Sequence, residues 1–490
     1  MNSSKEEMTS DEAENSRESC KPCKRRWAFL AIVSALQILN GFSFAYYGQL
    51  SNVFVAYYNV TSFEVDWLTL TMDVGPIILT IPFSWFMVTE KMGFKFLILT
   101  AAFASAIGYI CIVASVAKRW LFPLMIVGQI FNSVSSTAML MSPSVFAVLW
   151  FPENEVGSAV GINVMSFYVG KILAFTAARN VLVQPPLNHS LNSSVTVNQS
   201  WLVEDRWMLY VIFAVSLTIA MVCAIFLFIF VTDRPPTPPT FAQSVKQNQQ
   251  RQTQQLLSLK SYIKLVKALL KNKTFLLSAI VFATLFQENP VIITMLSQIL
   301  RQMFHIQKMN YNADVIGGYI MTAFGVGSCI GSIAGGKLVD KYKRYGVISI
   351  TSCLLTFLST TGFIPAFAFG SLPAFFVCSA LYGVVSQPGL VVIYEIATQE
   401  TYPINETFST VWLTGFQALM AILWREIARL LFNAFGGLSV LIFQIAIFLA
   451  TVVLSCLIST TNKRLSVETQ ENWNEESSLS EHTILLEPKR

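Results

Sequence analysis

The sequence predicts an all-α integral membrane fold of twelve transmembrane helices arranged as two six-helix halves. Three observations predict it. Hydrophobic residues make up 54% of the chain and charged residues only 12%, against roughly 25% charged in soluble domains. Windows of about 20 apolar residues, the length that crosses a ~30 Å hydrocarbon core, recur along nearly the whole sequence. A polar stretch over residues 233–273 divides those windows six and six. In lipid every backbone polar group must be satisfied within its own segment, so the windows read as helices, and the alternation of a β-barrel is absent.

Taken in order, residues 1–26 form a polar tail with no apolar core, which excludes a cleavable signal peptide and leaves the first span as the start signal. Lys21, Lys24, Arg25 and Arg26 directly precede that span and place this end in the cytoplasm. The N-terminal half, 27–232, carries spans at 28–56, 67–89, 95–117, 120–150, 157–181 and 208–232. The linker, 233–273, reads DRPPTPPT and then QNQQRQTQQ, and ends with Lys260, Lys264, Lys267 and Lys271, a cytosolic signature. The C-terminal half, 274–460, carries spans at 274–300, 313–335, 346–369, 372–398, 408–433 and 437–460. The tail, 461–490, is expected to be disordered and cytosolic, because residues 465–482 are rich in Glu, Ser, Thr and Asn.

The loops agree with this orientation. Glycosylation sequons at Asn59, after the first span, and at Asn188, Asn192 and Asn198, between the fifth and sixth, fall on the non-cytoplasmic side, whereas those at Asn272 and Asn405 face the cytoplasm and read as chance matches. The tail ends in EHTILLEPKR, in which Glu481, Leu485 and Leu486 fit the acidic dileucine pattern that sorting adaptors read. The expectation is a plasma-membrane protein that also cycles through endosomes or lysosomes.

Several function classes drop out. No Ser/His/Asp set, metal-ligand spacing or phosphate-cradling glycine loop is present, so neither an enzyme, a resident cofactor, a metal site nor ATP-driven pumping is expected. The net charge of +5 comes mostly from inside loops and does not indicate nucleic-acid binding. Cys111, Cys223, Cys329, Cys353, Cys378 and Cys456 lie inside spans, which argues against a disulfide scaffold. Cys20 and Cys23 form a CxxC in a polar tail without a redox-fold context. What remains is a membrane transporter for a small molecule, expected to be monomeric, with a non-transporting receptor or sensor as the alternative.

Residues 335–346, GGKLVDKYKRYG, place a charged cluster between two apolar spans. Gly336, Asp340, Lys341, Lys343 and Arg344 match the G-x-x-x-D-[RK]-x-[RK]-[RK] motif that joins the second and third spans of a half in the major facilitator superfamily, which the chain resembles. The first-half loop, TEKMGFK, keeps Glu90, Lys91 and Lys95 but has Phe86 where the first glycine would stand. The resemblance implies a substrate site near the midplane between two halves that rock to expose it to each side in turn. The motif is expected to govern that cycle. Its glycine lets two helices approach, and its charges can pair with one another or with a neighbouring helix end.

Further stretches, NGF with SNVF (40–42 and 51–54), DWL (66–68), LWFP (149–152), RPPTPP (234–239) and YEIATQETYP (394–403), resemble the feline leukaemia virus subgroup C receptor family, solute carrier family 49. That family implies transport of choline and ethanolamine, haem or a B6 vitamer. Its choline-carrying members are expected to hold the ammonium between a Trp on the first span and a Tyr on the seventh, positions that fall at Phe44 and Phe282 here, while a glutamine of the fifth span falls at Tyr168. Two phenyl rings attract a cation less strongly than Trp does. Tyr47, three residues after Phe44, is expected on the same helix face, and Glu395 and Gln417 complete the expected cavity. The three histidines, His189, His305 and His482, lie away from the midplane, which weakens a haem reading.

Ionisable groups at bilayer depth are costly and mark sites by default. They are Asp73, Lys171, Arg179, Glu288, Glu395, Arg425, Glu426 and Arg429. Glu395 follows Gln387-Pro388-Gly389, a sequence expected to interrupt its helix. Arg425 and Arg429 share a helix face that Glu426 does not; anion binding or a structural pair with another span are both open to them.

Overall fold

The computed structural model describes residues 25–88, 94–152, 154–180, 199–232, 259–286, 288–309, 311–401 and 406–458. The expected sequons at Asn188, Asn192 and Asn198, the dileucine residues Glu481, Leu485 and Leu486, both tails and most of the linker lie outside the described residues.

Helices α1 (Arg25–Gln49) and α2 (Ser51–Tyr58) form the first span, followed by α3 (Ser62–Val88), α4 (Phe94–Ser115), α5 (Phe122–Trp150), α6 (Val156–Asn180) and α7 (Gln199–Phe230). Helix α8 (Leu259–Lys271) ends the linker; α9 (Lys273–Phe286) and α10 (Glu288–Ile306) form the seventh span, and α11 (Ala313–Tyr342) the eighth. The ninth is α12 (Tyr345–Thr361) with α13 (Phe363–Ala368), and α14 (Leu372–Glu400), α15 (Glu406–Phe435) and α16 (Gly437–Cys456) complete the half. Ten of these helices are individually long and apolar enough to cross a membrane. The seventh and eleventh spans are not among those ten.

The interruption expected at Gln387-Pro388-Gly389 is absent. Pro388 sits inside α14, yet the helix runs unbroken. The Ser352 hydroxyl on α12 donates to the Val385 carbonyl (2.5 Å) and accepts from the Gly389 N–H (2.9 Å), so backbone groups loosened by the proline find a partner in a neighbouring helix.

Sequence signals for the ends hold elsewhere. Asn312 caps α11, its side chain accepting from the N–H groups of Asp314 (3.0 Å) and Val315 (3.3 Å). Asn59 closes α2 in the left-handed conformation (φ 56°) that asparagine tolerates, and it is exposed. Asn272 is used structurally: its Oδ1 accepts from the Phe275 N–H (3.2 Å) at the start of α9.

Helix α8 is amphipathic. It presents Lys260, Lys264, Lys267 and Lys271 outward, turns 76° into α9, and buries Tyr262 and Leu269. This is the geometry of a helix lying along the membrane surface. Tyr262 joins the two halves, sharing a hydrogen bond with Ser84 of α3 (2.7 Å) and meeting the Phe408 ring of α15 edge-on (6.0 Å).

Candidate functional site

A chain of buried aromatic rings crosses the plane between the halves. Phe44 of α1 meets Phe167 of α6 (5.9 Å between centroids), Phe167 stacks near Phe286 of α9 (6.1 Å), and Phe286 lies 6.2 Å from Phe282. Phe282 in turn meets Tyr394 of α14 edge-on at 4.9 Å. Tyr168 packs against Phe324 of α11 (5.8 Å) and accepts a hydrogen bond at its hydroxyl from Gln387 Nε2 (2.9 Å), while the Tyr394 hydroxyl donates to the Leu140 carbonyl of α5 (3.1 Å). The seventh span thus sets Phe286 against α6 and Phe282 against α14, between the two halves.

Lys171 fills this cluster. Its side chain has no exposure to solvent, and its Nζ lies 4.4 Å from the Phe167 ring centre, 4.8 Å from Phe44, 5.3 Å from Tyr168 and 5.9 Å from Phe286. All four distances fall within the ~6 Å reach over which a ring quadrupole attracts a cation. Lys171 is 15 residues into α6, about 22 Å from its cytosolic end. Phe167 and Lys171, four apart on one helix face, were a sequence signal for this pairing.

Of the six residues expected in one cavity, the structure gathers Phe44, Tyr168 and Phe282 into this cluster. Tyr47 is turned away. It packs against Phe54 (5.5 Å) and Phe213 of α7 (6.4 Å), because three residues are about 60° apart on a 3.6-residue helix, enough to move from the α6 side of α1 to the α7 side. Gln417 is buried on α15, on the stripe of Thr410 and Thr414, where Thr410 shares a hydrogen bond with Ser144 of α5 (3.0 Å). Glu395 lies elsewhere. It lines a cytosolic cleft of about 10 Å³, room for roughly one water, together with Gly157, Asp340, Lys343, Tyr345 and Gln399.

That cleft belongs to the charged motif. The Asp340 carboxylate at the end of α11 accepts from the backbone N–H groups of Gly157 (2.7 Å) and Ser158 (2.8 Å) and from the Ser158 hydroxyl (2.5 Å). It therefore caps the first turn of α6, in the opposite half, where unpaired N–H groups and the positive helix end favour an anion. Gly336 makes the approach feasible, since a Cβ there would collide with the Gly157 carbonyl. Lys343 closes α11 in a left-handed turn (φ 47°), Lys341 lies over the Tyr342 ring (5.3 Å), and Arg344 is exposed. Arg26 and Glu155 add an ion pair at the same end (2.9 Å).

The remaining interior charges sort by depth. Asp73 of α3 and Arg425 of α15 form an ion pair between the halves, each only 3% exposed. Arg429 and Glu426 are half exposed and 3.7 Å apart, so Arg425 and Arg429 do not form a joint anion site. The side chains of Arg179 and Glu288 lie outside the described residues, and His305 is exposed at the end of α10.

Twelve spans in two halves, an aromatic cluster between them and a cytosolic aspartate that bridges them define an alternating-access membrane transporter. The sequence matches the Major Facilitator Superfamily over residues 33–424, and the chain belongs to that superfamily. Its relatives include transporters of the FLVCR type. The choline/ethanolamine transporter flvcr2a of Danio rerio is 26% identical over 456 residues, covering 93% of this chain and 91% of its own. The choline/ethanolamine transporter FLVCR2 of Homo sapiens is 27% identical over 397 residues, 80% of this chain and 69% of its own. Among solved structures, the transporter FucP in its outward conformation superposes with a TM-score of 0.65 at 14% identity, covering 89% of this chain and all of that one. The proton:xylose symporter XylE gives 0.60 at 15%, covering 90% and 98%. The named relatives are transporters and not enzymes. The chain is a multi-pass membrane protein with a small-molecule substrate.

Proposed function

We propose that this transporter carries a small organic ammonium solute of the choline or ethanolamine type. The observation that carries the reading is the ring cluster of Phe44, Phe167, Tyr168 and Phe286, which surrounds the nitrogen head of Lys171 between the two halves. Ring faces gathered at these distances around a nitrogen have the chemistry to hold an organic ammonium. The printed activity of the zebrafish and human relatives supports the same solute class. In this reading Phe282 and Tyr394 form the wall on the C-terminal side, and Asp340 with Glu395 belongs to the cytosolic gate.

The test is uptake of labelled choline and ethanolamine into cells or vesicles with and without the protein. Protein-dependent uptake of either, suppressed by millimolar amounts of the other, is the expected result. Uptake of an organic anion with no competition by choline or ethanolamine overturns the reading, and absence of any protein-dependent uptake favours a receptor.

The distribution between surface and endosomes is proposed to depend on Glu481, Leu485 and Leu486. Changing both leucines to alanine is expected to shift the protein from vesicles to the cell surface; an unchanged distribution on imaging leaves the motif without a role.

A further inference from the structure

The cation in the ring cage belongs to the protein itself. Its rings come from three helices, α1, α6 and α9, and from both halves, so whatever occupies the cage is gripped when the halves close. Lys171 reaches it from α6 on a flexible four-carbon stem and presents a primary ammonium, the same group that ethanolamine carries. A ring face attracts a cation by its quadrupole, whether or not that cation is tethered.

We infer that Lys171 is a built-in occupant of the solute's ammonium site: solute binds by exchange with the Lys171 ammonium, which sets how tightly the site holds a cation. This rests on the proposed solute class. The cage has room for one head group, since the fully buried Lys171 Nζ already lies 4.4–5.9 Å from four ring centres. Solute entry therefore requires the lysine head to leave. The other charges facing this region among the described residues, Asp73 and Arg425, are paired with each other. With Lys171 in place, the halves can also close in the absence of solute, the rings keeping a cationic partner throughout.

The inference makes Lys171 a specificity-determining residue, and it predicts an increase in affinity on truncation, which a purely structural role does not. The experiment is equilibrium binding of labelled choline and of labelled ethanolamine to the purified full chain in detergent, comparing wild type, Lys171→Ala and Lys171→Arg. Lys171→Ala is expected to bind choline at least about tenfold more tightly than wild type, including the case in which wild-type binding is too weak to detect, while Lys171→Arg, which keeps a charge in the cage, stays weak. If Lys171→Ala does not purify as a monodisperse protein, Lys171→Ser is measured by the same criterion, because it also empties the cage. Wild type that binds choline with a truncated variant that binds equally or less tightly overturns the inference and leaves the solute class standing. Failure of wild type and every variant to bind either solute overturns both.

Discussion

Replacing Asp340 with asparagine is expected to lower the transport rate by about tenfold or more at matched surface level, without changing the order in which solutes compete. The carboxylate takes three hydrogen bonds at the start of α6, two from backbone N–H groups and one from Ser158. Hydrogen bonds to a charged group contribute roughly 1.5–3 kcal/mol each, and a helix N-terminus adds about 0.3–1 kcal/mol for an anion. Asparagine keeps one acceptor oxygen but loses the charge. Loss of even about 1.4 kcal/mol shifts the population of the cytosol-closed state tenfold, and a carrier that must pass through that state slows accordingly. Solute ranking stays fixed because the ring cluster lies near the membrane midplane and Asp340 in a cytosolic cleft. Measurement of initial uptake rates with a panel of competitors checks both parts; a mutant that transports at the wild-type rate refutes the gating role. Asp340→Ala, which removes every acceptor, is expected to be slower still.

The two halves of that argument were unequally visible in the amino-acid sequence. Gly336 and Asp340 were legible because a glycine and an aspartate at fixed spacing between two apolar spans have few other uses. Their partner was not: Gly157 and Ser158 are apolar or neutral residues at an unremarkable helix start, and only the closure of one half upon the other brings them within 3 Å of Asp340. The ring cluster was half legible. Phe44, Tyr168 and Phe282 were found through resemblance, but Phe167 and Phe286 are two among 38 phenylalanines, and nothing in composition separates a ring that faces a cation from one that faces lipid.

Glu395 lies at the cytosolic cleft and not in the midplane cavity, and its place in the sequence carries that information. It stands five residues before the end of α14, about 7.5 Å from the cytosolic end at 1.5 Å per residue, too far along the helix for the midplane. Depth along the span outweighs the default that an intramembrane carboxylate binds substrate. The expected interruption at Pro388 failed for a different reason: a proline's effect depends on what its neighbours offer, and Ser352 sits on another helix, 37 residues from Gly389. Lys171 was visible as a charge at depth, and its partners Phe167 and Tyr168 stand beside it in the sequence, but burial is what turns that adjacency into a cage.

The other large effect concerns Asp73 and Arg425, which were each recognised as charges in the membrane but stand 352 residues apart, beyond any local pairing rule. Both are 3% exposed, so neither charge has water to fall back on once its partner is removed. Truncating one member of a buried pair costs roughly 3–5 kcal/mol, because it strands the other, whereas removing both together is often close to neutral. Asp73→Asn or Arg425→Gln alone is therefore expected to lower thermal stability in detergent sharply and to reduce the amount of protein at the surface, and the double substitution to recover most of both. The double-mutant cycle isolates the coupling from the two separate losses. The pair also ties α3 to α15 across the two halves, in the part of the span beyond the midplane from the Asp340 contact. The doubly neutral protein, though folded, then lacks this tie between the halves, and its transport is expected to remain below wild type even where its stability is restored. Equal stability of the single and double variants would show that the two charges are not coupled and would remove the bridge from the account of how the halves are held together.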